Sequence, residues 1–145
     1  MNEPTARLSL VTLGVSDLAK STAFYEALGF RRRSRGADGV AFFEAGGVIL
    51  SLRPTAELMK DAEIASANPS GFRGMSLAWN CTSASDVDHA LARATVAGAM
   101  LIRSARTVFW GGYTAYFADP DGHLWEVAHN PHFPFSADGR LLVPD

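Results

Sequence analysis

One pattern occurs twice along this chain, and that duplication limits the folds open to it more than any other feature. Leu8 to Val15, Leu-Ser-Leu-Val-Thr-Leu-Gly-Val, reads as an apolar strand. Ser16-Asp17 then offers an N-cap and a first-turn acid. Leu18, Thr22, Tyr25 and Leu28 recur at helical spacing, and Gly29 provides a C-terminal stop. Strands follow over Phe30 to Arg35, Val40 to Phe43 and Val48 to Leu52, the last two joined through Ala45-Gly46-Gly47. The second half repeats the order. Met75 to Cys81 is a strand, Ser83 to Asp88 supplies caps, and Val87, Ala90, Leu91 and Ala94 form a helical stripe ended by Gly98. Met100 to Arg103 is a short strand, and Tyr113 to Ala128 a hairpin. Leu10 aligns with Ser76, Gly29 with Gly98, Phe42 with Tyr116 and Ser51 with Glu126, the separation growing from 66 to 75 residues. Such extra residues are tolerated in loops.

Two copies of a long unit do not make a solenoid. They predict an α+β fold in which two βαβββ repeats form a curled mixed β-sheet, as half-barrels with helices outside. The expected organisation is a single domain over 1–145, with repeats at about 6–53 and 74–130. A connecting segment at about 54–73 holds a short helix within Pro54 to Ala67 and the turn Asn68-Pro69-Ser70-Gly71. A tail over 131–145 carries Phe133 and Phe135, aromatics suited to clamping on the surface.

The final hairpin is the most specific local signal. Proline presets φ for the first position of the turn Asp119-Pro120-Asp121-Gly122, and glycine supplies the left-handed residue that closes it. With Asp119 facing His123, counting outward pairs Ala118 with Leu124, Phe117 with Trp125 and Tyr116 with Glu126. Ala115, Phe117, Trp125 and Val127 share a core face. Tyr116 and Glu126 share the other, among the small residues Thr114, Ala118 and Ala128. A carboxylate beside a phenol on such a face predicts a cavity wall. Trp79, on the helix-facing side of its strand with Leu77 and Cys81, and Trp125, paired with Phe117, read as core. Trp110, in Phe109-Trp110-Gly111-Gly112-Tyr113, sits where glycines let the backbone approach closely, suiting either a planar ligand or packing on the tail.

A net charge of -2 gives no electrostatic footprint for nucleic acid or an anionic membrane, and neither partner is expected. The one charge run, Arg31-Arg32-Arg33, reads as a protected sheet edge. No apolar run approaches a membrane span, the N-terminal residues lack a secretion-signal pattern, and one cysteine, Cys81, allows no internal disulfide. A cytoplasmic location is expected.

The duplicated unit, with Asp17-Leu18, Ser21, Phe24-Tyr25-Glu26-Ala27-Leu28-Gly29-Phe30 and Asp119-Pro120-Asp121-Gly122-His123-Leu124-Trp125-Glu126, resembles the vicinal oxygen chelate superfamily. That superfamily includes glyoxalase I, extradiol dioxygenases, fosfomycin resistance proteins and bleomycin resistance proteins. The resemblance covers nearly the whole chain, but a fold of this kind hosts several chemistries. In the family's metalloenzymes, ligands come from the first and last strands of each repeat. By resemblance these positions are Leu10, Ser51, Ser76 and Glu126, and only Glu126 keeps a ligand group. No metal or other cofactor is therefore expected. A displaced cluster of Glu126, His129 and His132 is the alternative.

The expected ligand cavity comprises Leu10, Thr12, Ser51, Ser76, Trp110, Tyr113, Thr114, Tyr116 and Glu126. The first functional reading is a metal-independent protein that binds or sequesters a drug or metabolite, in the manner of bleomycin resistance proteins. The second is an enzyme acting on a small oxygenated substrate, glyoxalase-like rather than a dioxygenase, with Glu126 as acid, base or metal ligand and Tyr116 as hydrogen-bond donor. The resemblance also implies a homodimer.

Overall fold

The computed structural model describes residues 4–66 and 71–145. The first repeat comprises β1 (Leu10–Val15), α1 (Leu18–Leu28), β2 (Arg31–Arg33), β3 (Ala41–Glu44) and β4 (Ile49–Pro54). A short α2 (Thr55–Asp61) follows within the span where a helix is expected. Asn68, Pro69 and Ser70 of the expected turn lie outside the described residues. The second repeat comprises β5 (Leu77–Asn80), α3 (Ala84–Ala97), β6 (Met100–Thr107), β7 (Tyr113–Ala118) and β8 (Leu124–His129). Each repeat builds its own four-stranded mixed sheet, in the orders β1-β4-β3-β2 and β5-β8-β7-β6. One parallel pair occurs in each, β1 with β4 and β5 with β8. Neither sheet closes into a barrel.

Local chemistry sets the element ends. Asp17 is itself the N-cap of α1, its carboxylate accepting from the Lys20 N–H, so the acid read as a first-turn residue sits one position earlier. Ser83 caps α3 and accepts from the Asp86 N–H. Gly29 and Gly98 end the two helices in the left-handed conformation. The arginine run forms β2, an edge strand, where charge opposes further pairing.

The strand registers of the two repeats superimpose. Ser51 lies between Thr12 on β1 and Phe42 on β3. Glu126 occupies the same place between Ala78 on β5 and Tyr116 on β7. The observed β7–β8 pairing is the one obtained by counting outward from the turn.

Alternation gives each sheet a covered and an open face. Leu13, Val15, Ala41, Phe43, Leu50 and Leu52 of the first sheet, and Phe117, Trp125 and Val127 of the second, are buried in one common core. Tyr25 of α1 joins the repeats, its ring 6.0 Å from that of Trp125. Burying side chains of this size stabilises by about 1.5–3 kcal/mol each.

The hairpin turn fastens the second repeat to the first. The Tyr25 hydroxyl donates to Asp119 Oδ2 at 2.6 Å, and the backbone N–H groups of Asp121 and His123 donate to Oδ1 at 2.9 and 2.8 Å. Asp121 accepts from the Ser16 N–H at 2.8 Å and from Ser21 Oγ at 3.1 Å. Gly122, at φ +83°, closes the turn after them, its N–H donating to Asp119 O at 3.0 Å. The carboxylates that read as turn formers are thus also the bridge between repeats.

The tail forms a small hairpin in which Phe135 bridges Leu141 and the Leu142 N–H donates to Pro134 O at 2.8 Å. No helix among the described residues is long and apolar enough to cross a membrane.

Candidate functional site

The open face of the second sheet concentrates the polar chemistry. Tyr116 and Glu126 are cross-strand partners there, and the phenol donates to Glu126 Oε2 at 2.9 Å. Burial and then the hydrogen bond and charge of Glu126 push the Tyr116 hydroxyl above its ordinary pKa, while Arg103 pulls it down. The phenol therefore stays protonated, and a donor, at neutral pH. Thr114, Ala118 and Ala128 surround the pair and are buried between their larger neighbours.

Arg103 is the site residue that the sequence reading missed. Its guanidinium carbon lies 5.1 Å from the Tyr116 ring centroid, and the group also donates to Thr114 Oγ1 and to Ser104 O. Strand β6 extends to Thr107, four residues beyond the expected strand, and its register slips twice, between Leu101 and Arg103 and between Arg103 and Arg106. Such bulges re-aim side chains. Nothing in the local sequence marks them.

The remaining expected cavity residues are dispersed. Leu10, Thr12 and Ser51 share the open face of the first sheet, where Leu10 pairs with Ile49 and Thr12 with Ser51. Ser76 precedes β5 and is exposed. Tyr113 points the other way: it alternates with Thr114 and donates to Asp88 of α3 at 2.8 Å, so it belongs to the helix-covered face. Trp110 folds back on its own loop, since a Cβ at Gly112 would stand 2.0 Å from its ring. That glycine gives the indole its resting place, and Trp110 covers backbone instead of the Tyr116–Glu126 pair.

A cleft of about 560 Å³ opens elsewhere, where the end of α1, the β3–β4 loop, β5 and the tail meet. Phe30, Trp79, Trp125, Phe135 and Leu141 line it; Glu126 and Tyr116 do not. Its lining is mainly apolar and lacks a phenol–carboxylate pair.

The donor set does not fit the divalent metal of the family's metalloenzymes. Glu126 has Ala78 and Tyr116 beside it, and the matching place in the first repeat holds Ser51 between Thr12 and Phe42. Among the described residues no three His, Cys, Asp or Glu side chains converge on a point that could hold an ion. His129 lies across the strand from Glu126, on the covered face, with Nδ1 3.1 Å from Cys81 O. His132 lies near Gly111. Glu126, His129 and His132 are therefore not brought together.

A glyoxalase-related enzyme from Fulvimarina pelagi is 33% identical over 97% of this chain and 100% of its own, with a TM-score of 0.88. A glyoxalase/bleomycin resistance protein/dioxygenase from Nocardioides is 30% identical, covering 89% of this chain and 85% of its own, with a TM-score of 0.70. A lactoylglutathione lyase from Agrobacterium tumefaciens, 22% identical over 88% and 96% of the two chains, shares the fold with a TM-score of 0.66. None of the curated proteins compared with the chain matches it. The model of the glyoxalase/bleomycin resistance protein/dioxygenase superfamily matches residues 7–127, and with the duplicated βαβββ registers this makes the chain a member of that superfamily.

Proposed function

We propose that this protein is a metal-independent member of the superfamily that binds a small organic molecule on the open face of its second sheet, sequestering it as bleomycin resistance proteins do. The observation that carries this reading is the Tyr116–Glu126 pair, an acceptor and a donor held 2.9 Å apart among small side chains. A carboxylate placed on such a face loses hydration, a cost that a purely structural sheet avoids with an apolar residue. The protein acts in the cytoplasm as a homodimer, the second copy covering faces that one chain leaves open.

A second reading is an enzyme of glyoxalase-like type, in which Glu126 takes or returns a proton while Tyr116 holds a substrate oxygen. The 33% identity to a glyoxalase-related enzyme supports it.

Glu126→Gln is the test, because the amide keeps the shape and loses the charge. The expected outcome is an unchanged melting temperature with loss of the binding signal when a metabolite library is screened by NMR. Unfolding of the variant would make Glu126 a structural acceptor and overturn the site. Elemental analysis of tag-free protein is expected to find far less than one divalent ion per chain, and stoichiometric metal would overturn the metal-independent reading.

A further inference from the structure

The two register slips of β6 have a chemical consequence. Residues three apart on a regular strand point to opposite faces. Here the slip between Arg103 and Arg106 pairs Arg103 with Tyr116 and Arg106 with Thr114, two residues that share the open face. Arg103 is thereby placed beside Tyr116, and Arg106 beside Thr114 on the same face. Bulges of this kind cost ladder hydrogen bonds and are enriched next to active sites.

Neither guanidinium is neutralised. Among the described residues, neither Arg103 nor Arg106 makes an ion pair with a carboxylate, and Arg106 makes no side-chain hydrogen bond. The registers put Arg103 and Arg106 of β6 on this face with Tyr116 and Glu126, and the other strand residues they place there carry no charge. Its charged side chains are thus two arginines and one glutamate, a surplus of one positive charge.

We propose that Arg103 and Arg106 form the anion-binding half of the Glu126 site, so that its ligand is a small monocarboxylic acid bearing a hydroxyl or amine. The planar guanidinium fork matches a carboxylate in two parallel hydrogen bonds. One carboxylate balances the surplus charge, whereas a doubly charged phosphate overshoots it beside Glu126. The Glu126 carboxylate then accepts from the ligand's hydroxyl or amine at Oε1, while Tyr116 donates its one proton to Oε2 and holds the carboxylate in place. Arg103 sits over the Tyr116 ring, and the hydroxyl of that ring touches Glu126. The acid and donor groups of the ligand are therefore separated by about the length of a phenol, a few bonds. This rests on the reading of the open face as the binding site.

The test is an NMR titration of ¹⁵N-labelled protein with small hydroxy and amino acids, each matched with its primary amide. Acids are expected to move the resonances of Arg103, Thr114, Tyr116 and Glu126, and amides to bind about tenfold more weakly, as befits loss of a charged hydrogen bond. Arg106→Gln, at an exposed position without side-chain partners, and Arg103→Gln are expected to remove the preference for the acid. If amides bind as well as acids, or the preference survives both substitutions, the anion half is overturned while the Glu126 site stands. If neither series moves these resonances, both are overturned.

Discussion

Asp119 shows how much a single buried side chain organises. It is only 4% exposed, yet it accepts from the Tyr25 hydroxyl and from two backbone N–H groups, which replaces the hydration it loses. Tyr25 in turn accepts from Trp125 Nε1 at 3.1 Å, so one phenol links two repeats and two polar groups. Tyr25→Phe leaves both without that partner. It is expected to destabilise the protein by about 2–3 kcal/mol, measured by denaturant unfolding, because a hydrogen bond to a charged group is lost and a buried donor is orphaned.

The same residue governs alkaline behaviour. Burial, and then the charge of Asp119, raise the Tyr25 hydroxyl far above its ordinary 10.0. Burial, then the Asp86 charge, pushes the Cys81 thiol from 9.0 up to about 11. Both groups release their protons more readily in the unfolded chain, so stability is complete below the unfolded values and falls as pH rises past them. Unfolding measured from pH 7 upward is expected to be flat to about pH 9 and then to weaken through pH 11, with Cys81→Ala removing the first part of the decline. Stability that stays constant to pH 11 would contradict both assignments.

At the scale of elements, the β6–β7 connection depends on one close contact. Trp110 lies over Gly112, and a Cβ there would meet its ring at 2.0 Å. Gly112→Ala is expected to expel the indole into solvent and shift its fluorescence to the red. Trp79 and Trp125 are common to both proteins, so a difference spectrum isolates the effect. A spectrum unchanged by the substitution would mean that Trp110 has another resting place.

The same strand bears on assembly, a property of the whole molecule. β6 is an edge strand, and Met100, Leu101 and Ile102 at its start are exposed, as is Phe109 in the loop beyond it. An uncovered apolar edge invites pairing with a second chain. Light scattering at micromolar concentration is expected to give twice the chain mass of 15.5 kDa. Ile102→Lys is expected to shift the mass toward that of one chain, and a single-chain mass for the unmodified protein would remove the homodimer.

The two βαβββ units, the α1 and α3 caps and the pairing of Tyr116 with Glu126 were legible along the chain. Each of these follows from nearby residues: a cap oxygen reaches an N–H three residues away, and a turn of fixed length sets the pairing beyond it. Residue type alone also marks Leu10 as lacking a donor atom and Ser51 and Ser76 as poor replacements for imidazole or carboxylate. What these residues then meet depends on segments far apart in the chain. Asp119 and Asp121 became the bridge to α1 because distant segments converge on the turn. Tyr113 went to the helix side, where Asp88 receives its hydroxyl. Arg103 and Arg106 reached the Glu126 face through register slips fixed by pairing with β7, and strand alternation gives no means of placing such slips.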